Sequence, residues 1–111
     1  MSARKVLERK KAHARKRFME RYKIRLDDAL SNKLIQRIQT PDRAERVCFV
    51  SHRASVWSVY IEAEHIPGAT EGMMIPVVYD KDRKLIATVL PLECKELGNI
   101  DMHAIDSELD A

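Results

Sequence analysis

The groups of this 111-residue chain that could do chemistry are four histidines, twenty Lys/Arg and a few hydroxyls placed in otherwise apolar runs. His13 stands in HARKRFMERYKIRL, with Arg17 and Arg21 at i+4 and i+8, so on a helix the three share one edge. Arg53 and Ser55 lie around the start of SVWSVYIE, Tyr79 ends MMIPVVY, and Thr88 sits inside LIATVL. Imidazole titrates near neutral pH and can give or take a proton. Guanidinium groups hold a phosphate bidentately and stabilise the extra negative charge of a pentavalent transition state. Hydroxyls donate to the same oxygens. This set suits metal-independent RNA cleavage, in which the 2′-hydroxyl attacks the adjacent phosphate and leaves a 2′,3′-cyclic phosphate. Each residue also has a plainer reading. A helix already full of cations ordinarily has a solvated face, Thr88 is a β-branched strand residue, and Trp57 anchors a core. His52, His65 and His103 lack helix-face partners and read as surface residues.

Other chemistries have no foothold. There is no Gly-rich phosphate loop, G-x-S-x-G elbow or HExxH, and no setting of close carboxylates suited to glycoside cleavage. Cys48 and Cys94 form no CxxC and have no His at zinc spacing. Free thiols are expected, with Cys48 buried in a strand, and neither a metal nor a cofactor.

The elements that must position these groups follow from periodicity. Residues 3–23 contain no Gly or Pro and are rich in good helix formers, with Leu7, Ala14, Phe18 and Tyr22 on one side. Asp27 or Asp28 can cap a second helix whose apolar stripe runs through Leu30, Leu34 and Ile38 to Thr40, where Pro41 ends it. Four strands follow at 46–51, 55–62, 73–79 and 85–90. Asp80 to Arg83 form a polar hairpin turn, and residues 67–72 a looser connection. Pro76 points to an edge position or a bulge for the third strand. The expected fold is α+β: two N-terminal helices packed on one face of a four-stranded antiparallel sheet, in a single domain spanning 1–91. The other face is expected to stay open and to gather the polar residues. Residues 92–111 form an acidic tail, in which Leu97, Ile100, Met102, Ile105 and Leu109 fit a short helix as well as Gly98 and the acids fit a mobile segment.

Charge sharpens the reading. Residues 1–25 carry eleven Lys/Arg against Glu8 and Glu20, a net of nine positive, whereas residues 93–111 carry Lys95 against six acids. The first segment is suited to a polyanion, and the tail could keep the chain soluble or fold back over the basic surface. At 12.8 kDa, with 45% hydrophobic and 33% charged residues, the chain is too small for a multi-domain enzyme and too apolar for wholesale disorder. No run approaches the ~18 apolar residues of a membrane span, and no apolar core follows the charged N-terminus, so the expected compartment is the cytoplasm.

Four stretches, HARKRFMERYKIRL, SHRASVWSV, IPVVYDKDRK and IATVLP, together resemble small, often phage-encoded members of the BECR superfamily, which takes in barnase, EndoU, the RNase colicins and RelE-type interferases. The resemblance covers most of residues 13–91. It implies one or two helices on an antiparallel sheet and a metal-independent ribonuclease, often a toxin. The implied catalytic positions are His13, Arg17, Arg53, Ser55 and Thr88. Arg9, Lys10, Lys16, Arg21 and Tyr79 are the corresponding RNA contacts. The implied partners are RNA, including ribosome-bound mRNA or tRNA, and an inhibitor or immunity protein, inside a bacterial or phage-infected cell. Two other readings share the basic face: a non-catalytic RNA- or ribosome-binding module, and a phage-type protein that binds a host factor.

Overall fold

The computed structural model describes residues 3–49 and 53–91. The acidic segment, with Cys94 and His103, lies outside the described residues, as do His52 and the last two residues expected in the first strand. Two helices, α1 (Ala3–Tyr22) and α2 (Asp28–Gln39), precede a sheet of β1 (Ala44–Phe49), β2 (Ala54–Ile61), β3 (Met73–Asp80) and β4 (Leu85–Val89). The strands pair antiparallel in chain order, and a short 3-10 turn, Ala63–His65, follows β2. This is the α+β arrangement expected from the periodicity.

α1 ends where Lys23 takes a left-handed conformation, φ 59°. Its N–H donates to the Met19 carbonyl at 3.1 Å, closing the last turn. Ile24 and Leu26, both buried, lead to Asp27, whose carboxylate accepts from the Leu30 N–H at 2.8 Å and caps α2. The main core lies between helices and sheet: Ala14 and Phe18 from α1, and Leu30, Leu34 and Ile38 from α2. They meet Val59, Ile61, Ile75, Val77, Ile86 and Val89. Burying a side chain the size of Phe18 contributes ~1.5–3 kcal/mol.

The second sheet face is not open. Ala54, Val56, Val78, Leu85, Ala87 and Leu90 form a separate apolar cluster there, each at most 4% exposed, with Leu7 of α1 and Val47 of β1 packed against it. Strands with apolar residues on both parities, as in Val77–Val78 and Val56–Trp57, are strands buried on both faces. A register shift opposite Val78 and Tyr79 inserts Ala87 as an extra residue, so Ala87 and Thr88 both side with this second cluster.

Pro76 is neither in an edge strand nor at a bulge, because β3 lies between β2 and β4. It pairs with Ser58 of β2, and its carbonyl accepts from the Leu90 N–H at 2.8 Å. Its missing N–H points to the same side, just where β4 ends. The one ladder bond it cannot make, to the Leu90 carbonyl, is replaced by the Tyr22 hydroxyl, which donates to that carbonyl. The β3–β4 turn is built on Asp80, fully buried, whose Oδ1 accepts from the N–H of Asp82 at 3.0 Å and of Arg83 at 3.1 Å. Its Oδ2 meets Arg83 Nη1 at 3.0 Å.

Candidate nucleic-acid interface

α1 has no acid in its first turn and a weak apolar stripe, so packing against the sheet, rather than its own sequence, holds it. It runs in the same direction as β4. Lys11, Ala14 and Arg15 lie beside Leu85 and Ile86, while the Arg21 guanidinium and Tyr22 hydroxyl donate to the carbonyls of Val89 and Leu90. At ~100° per residue the helix divides into three arcs. Leu7, Ala14 and Phe18 face inward. Lys10, His13, Arg17 and Arg21 form the flank on one side, all half-buried. Lys5, Arg9 and Lys16 are exposed on the outward arc beside Glu20, while Lys11 and Arg15, also exposed, fall at the border of the inward arc next to Leu26, Asp28 and Ser31.

The flank is engaged with the fold. Arg17 Nη1 meets Glu20 Oε2 at 2.9 Å, and Arg21 covers an outward-facing carbonyl of the edge strand, which blunts that edge. His13 also has a partner, and its Nε2 is shielded from solvent. On the outward arc, Lys16 lies 3.9 Å from Glu20 with its side chain 71% exposed, a contact that holds it loosely. Past the helix end, Arg15, Met19, Arg25, Leu26, Asp27 and Asp28 line a shallow hollow of about 280 Å³. Lys5, Lys11, Arg15 and Arg25, all exposed, were not among the residues singled out from the sequence.

The remaining expected site residues do not gather with His13. Ser55 is buried, and its hydroxyl accepts from Trp57 Nε1 at 2.8 Å. It pairs across the strands with Tyr79, whose hydroxyl accepts from Gln39 Nε2 at 3.1 Å, so both lie on the helix-packed face. Thr88 is fully buried on the opposite face, where its Oγ1 has no hydrogen-bond partner. Arg53 precedes β2 at the end of the sheet that carries the β3–β4 turn, where its carbonyl accepts from the Lys81 N–H at 2.6 Å. One phosphate cannot touch hydroxyls on both faces of a sheet, so the expected convergence on an open face does not occur.

A different polar cluster was missed altogether. Arg37, buried within the apolar stripe of α2, meets Glu62 Oε1 at 2.6 Å and donates to the Tyr60 carbonyl at 2.6 Å. Lys33 reaches the other Glu62 oxygen at 3.1 Å. The Arg37 hydrogen bond, aided by Lys33, holds the Glu62 carboxyl below its ordinary value against the opposing effect of burial. Glu62, Glu64 and His65 bring one ligand atom each within 4.8 Å of one another. Glu62, however, already faces two cations, which compete directly with a metal ion.

No helix among the described residues is long and apolar enough to cross a membrane. Comparison with protein-family models, with curated proteins and with solved structures found no match for this chain.

Proposed function

We propose that this protein binds RNA through the exposed cations of α1. The observation that carries the reading is that Lys5, Arg9, Lys11, Arg15 and Lys16 are all exposed on α1, with Glu8 and Glu20 the only acids of that helix. Helix stability does not account for them. Cations in the first turn oppose the helix dipole, and those placed one turn apart repel one another. A polyanion reverses both penalties. Rows one turn apart, Lys5 with Arg9 and Lys11 with Arg15, repeat every ~6 Å along the axis and can follow a phosphate backbone. The sequence resemblance to a ribonuclease superfamily directs the polyanion towards RNA.

The test is the affinity for a fluorescein-labelled 20-nucleotide single-stranded RNA, read by anisotropy at low salt. Lys11→Glu with Arg15→Glu should weaken binding by more than about ten-fold, since it removes two phosphate contacts and adds two repulsions. Both side chains are exposed, so the circular dichroism spectrum should not change. Unaltered affinity would place the contact elsewhere.

Metal-independent cleavage by 2′-hydroxyl attack is the second reading, favoured by one observation: His13 lies one turn from Arg17 on a half-buried cationic flank. There His13 would act as the acid or base and Arg17 would steady the phosphate. His13→Ala should then lower turnover in EDTA by ~10²- to 10⁴-fold while binding persists. RNA that is bound but left intact by the parent protein leaves the binding role alone.

A further inference from the structure

The hollow past the end of α1 combines groups that the phosphate contacts do not explain. Its lining residues Arg15, Met19, Arg25, Leu26, Asp27 and Asp28 enclose about 280 Å³. The Asp27 N–H donates to the Arg25 carbonyl at 3.2 Å, which fixes this rim, and Leu26 is buried. Met19, 46% exposed, is the one large hydrophobic side chain left open among the described residues. It continues the row of Lys11 and Arg15, each one turn from the next. The hollow also holds charge of both signs. Among the described residues no ion pair joins Arg15 or Arg25 to Asp27 or Asp28, although all four line it. One Asp27 oxygen is occupied by the Leu30 N–H, so Asp28, which is exposed, is the carboxylate with both oxygens open to a donor. A matching ligand has a flat apolar body, a negative group at one end and N–H donors at the other.

We propose that this hollow seats one base of the bound RNA, with Met19 packed on its face and Asp28 reading its amino edge. The proposal rests on the RNA-binding reading, because Lys11 and Arg15 hold the phosphates that bring the base to Met19. Size supports a single base, since the hollow lies just below the ~300 Å³ at which small-ligand pockets begin. Sequence-specific recognition of RNA works on unstacked bases, held by their faces and read along their hydrogen-bonding edges. The Met19 thioether is polarisable and packs well against an aromatic ring, and Arg25 adds a guanidinium for the next phosphate. An ionised carboxylate only accepts hydrogen bonds, so it sorts the bases by their donors. Guanine offers a ring N–H and an amino group side by side, which fit the two oxygens of Asp28. Adenine and cytosine offer an amino group beside an acceptor nitrogen. Uracil offers one N–H between two carbonyls, which repel the carboxylate. Guanine is therefore the preferred occupant and uracil the poorest.

Anisotropy at low salt with three fluorescein-labelled 20-nucleotide strands tests this: oligouridine, alternating guanosine–uridine, and alternating inosine–uridine, whose inosine lacks the amino group. A bidentate base contact discriminates by roughly ten-fold or more, and alternation puts a guanine within reach in every other register, so the parent should bind the guanosine strand about five-fold more tightly than oligouridine. The inosine strand should bind little better than oligouridine. Asp28→Asn should bring the three affinities within about two-fold of one another while the salt dependence stays that of the parent, because no phosphate contact is lost. Met19→Ala should weaken the guanosine strand by about three-fold and oligouridine less. Both side chains are exposed and Asp27 keeps the cap of α2, so the circular dichroism spectra should match the parent's. Equal parental affinity for the three strands overturns the proposal and leaves the RNA-binding reading in place. A guanosine preference that survives both substitutions overturns it as well, since the base is then read elsewhere. No binding of any strand removes the RNA-binding reading and the proposal with it.

Discussion

Glu62→Gln separates a structural ion pair from a surface contact. Arg37 has a side chain only 9% exposed and touches Glu62 at 2.6 Å, while Glu62 is a quarter exposed. The substitution keeps size and shape but removes the counter-charge, leaving the guanidinium with the Tyr60 carbonyl. A hydrogen bond to a charged group contributes ~1.5–3 kcal/mol, and Lys33, more than a third exposed, returns to water at little cost. The expected loss is therefore ~1.5–3 kcal/mol, equivalent to roughly 6–12 °C in Tm for a chain of this size. Thermal unfolding followed by circular dichroism measures it. A double-mutant cycle with Arg37→Met isolates the pair, and the double variant should recover at least ~1 kcal/mol relative to additivity. The pH dependence has a definite sign. Because the Glu62 carboxyl is held below 4.5 in the fold, its contribution is complete above that value and is lost as pH falls through the folded value. The parent should thus lose stability more steeply than Glu62→Gln on acidification below pH 4.5. A cost under ~0.5 kcal/mol, or additive single variants, would refute the reasoning and class the pair with ordinary surface salt bridges.

Three further substitutions probe the frame that holds α1 and the sheet. Lys23→Gly should stabilise the protein by ~0.5–1 kcal/mol, because φ 59° at the end of α1 suits a residue without a Cβ; urea unfolding at constant m reads it. Gly72→Ala should destabilise by at least ~2 kcal/mol. The added Cβ would lie 2.6 Å from the Ile61 carbonyl oxygen and overlap the Tyr60 ring, and backbone cannot yield as a flexible side chain can. Asp80→Ala should cost ~1–3 kcal/mol in the same assay, since two turn N–H groups and Arg83 lose a buried acceptor.

The helices and strands were legible to within about two residues, because the change from 3.6-residue to two-residue periodicity falls at Pro41, where propensity and pattern agree. The burial of the second face was also written in the sequence, as runs such as MMIPVVY and LIATVL that do not alternate, but an antiparallel meander suggests one solvated face by default. Pro76 misleads if β3 is treated as uniform along its length. What makes it tolerable is a tertiary contact, the Tyr22 hydroxyl of α1 on the Leu90 carbonyl opposite. The site was legible in its charge and not in its geometry. Cations at i, i+4 on α1 are a local signal, whereas the faces of Ser55, Tyr79 and Thr88 depend on strand parity and on a bulge at Ala87. Arg37 and Glu62 are 25 positions apart and meet only through packing; the signal available beforehand was a lone charge between Leu34 and Ile38 in the stripe of α2.

The salt dependence of RNA binding tests the central claim most directly. Four to five phosphate contacts from the exposed cations of α1 predict a log–log slope of about −3 for a single strand, which amounts to a loss of roughly 60-fold between 50 and 200 mM salt. Replacing Arg9, Lys11, Arg15 and Lys16 together by Ala should reduce the slope to about −1 or less. A parent affinity indifferent to salt, or a slope that survives removal of these four cations, would contradict the assignment of α1 as the RNA-binding surface.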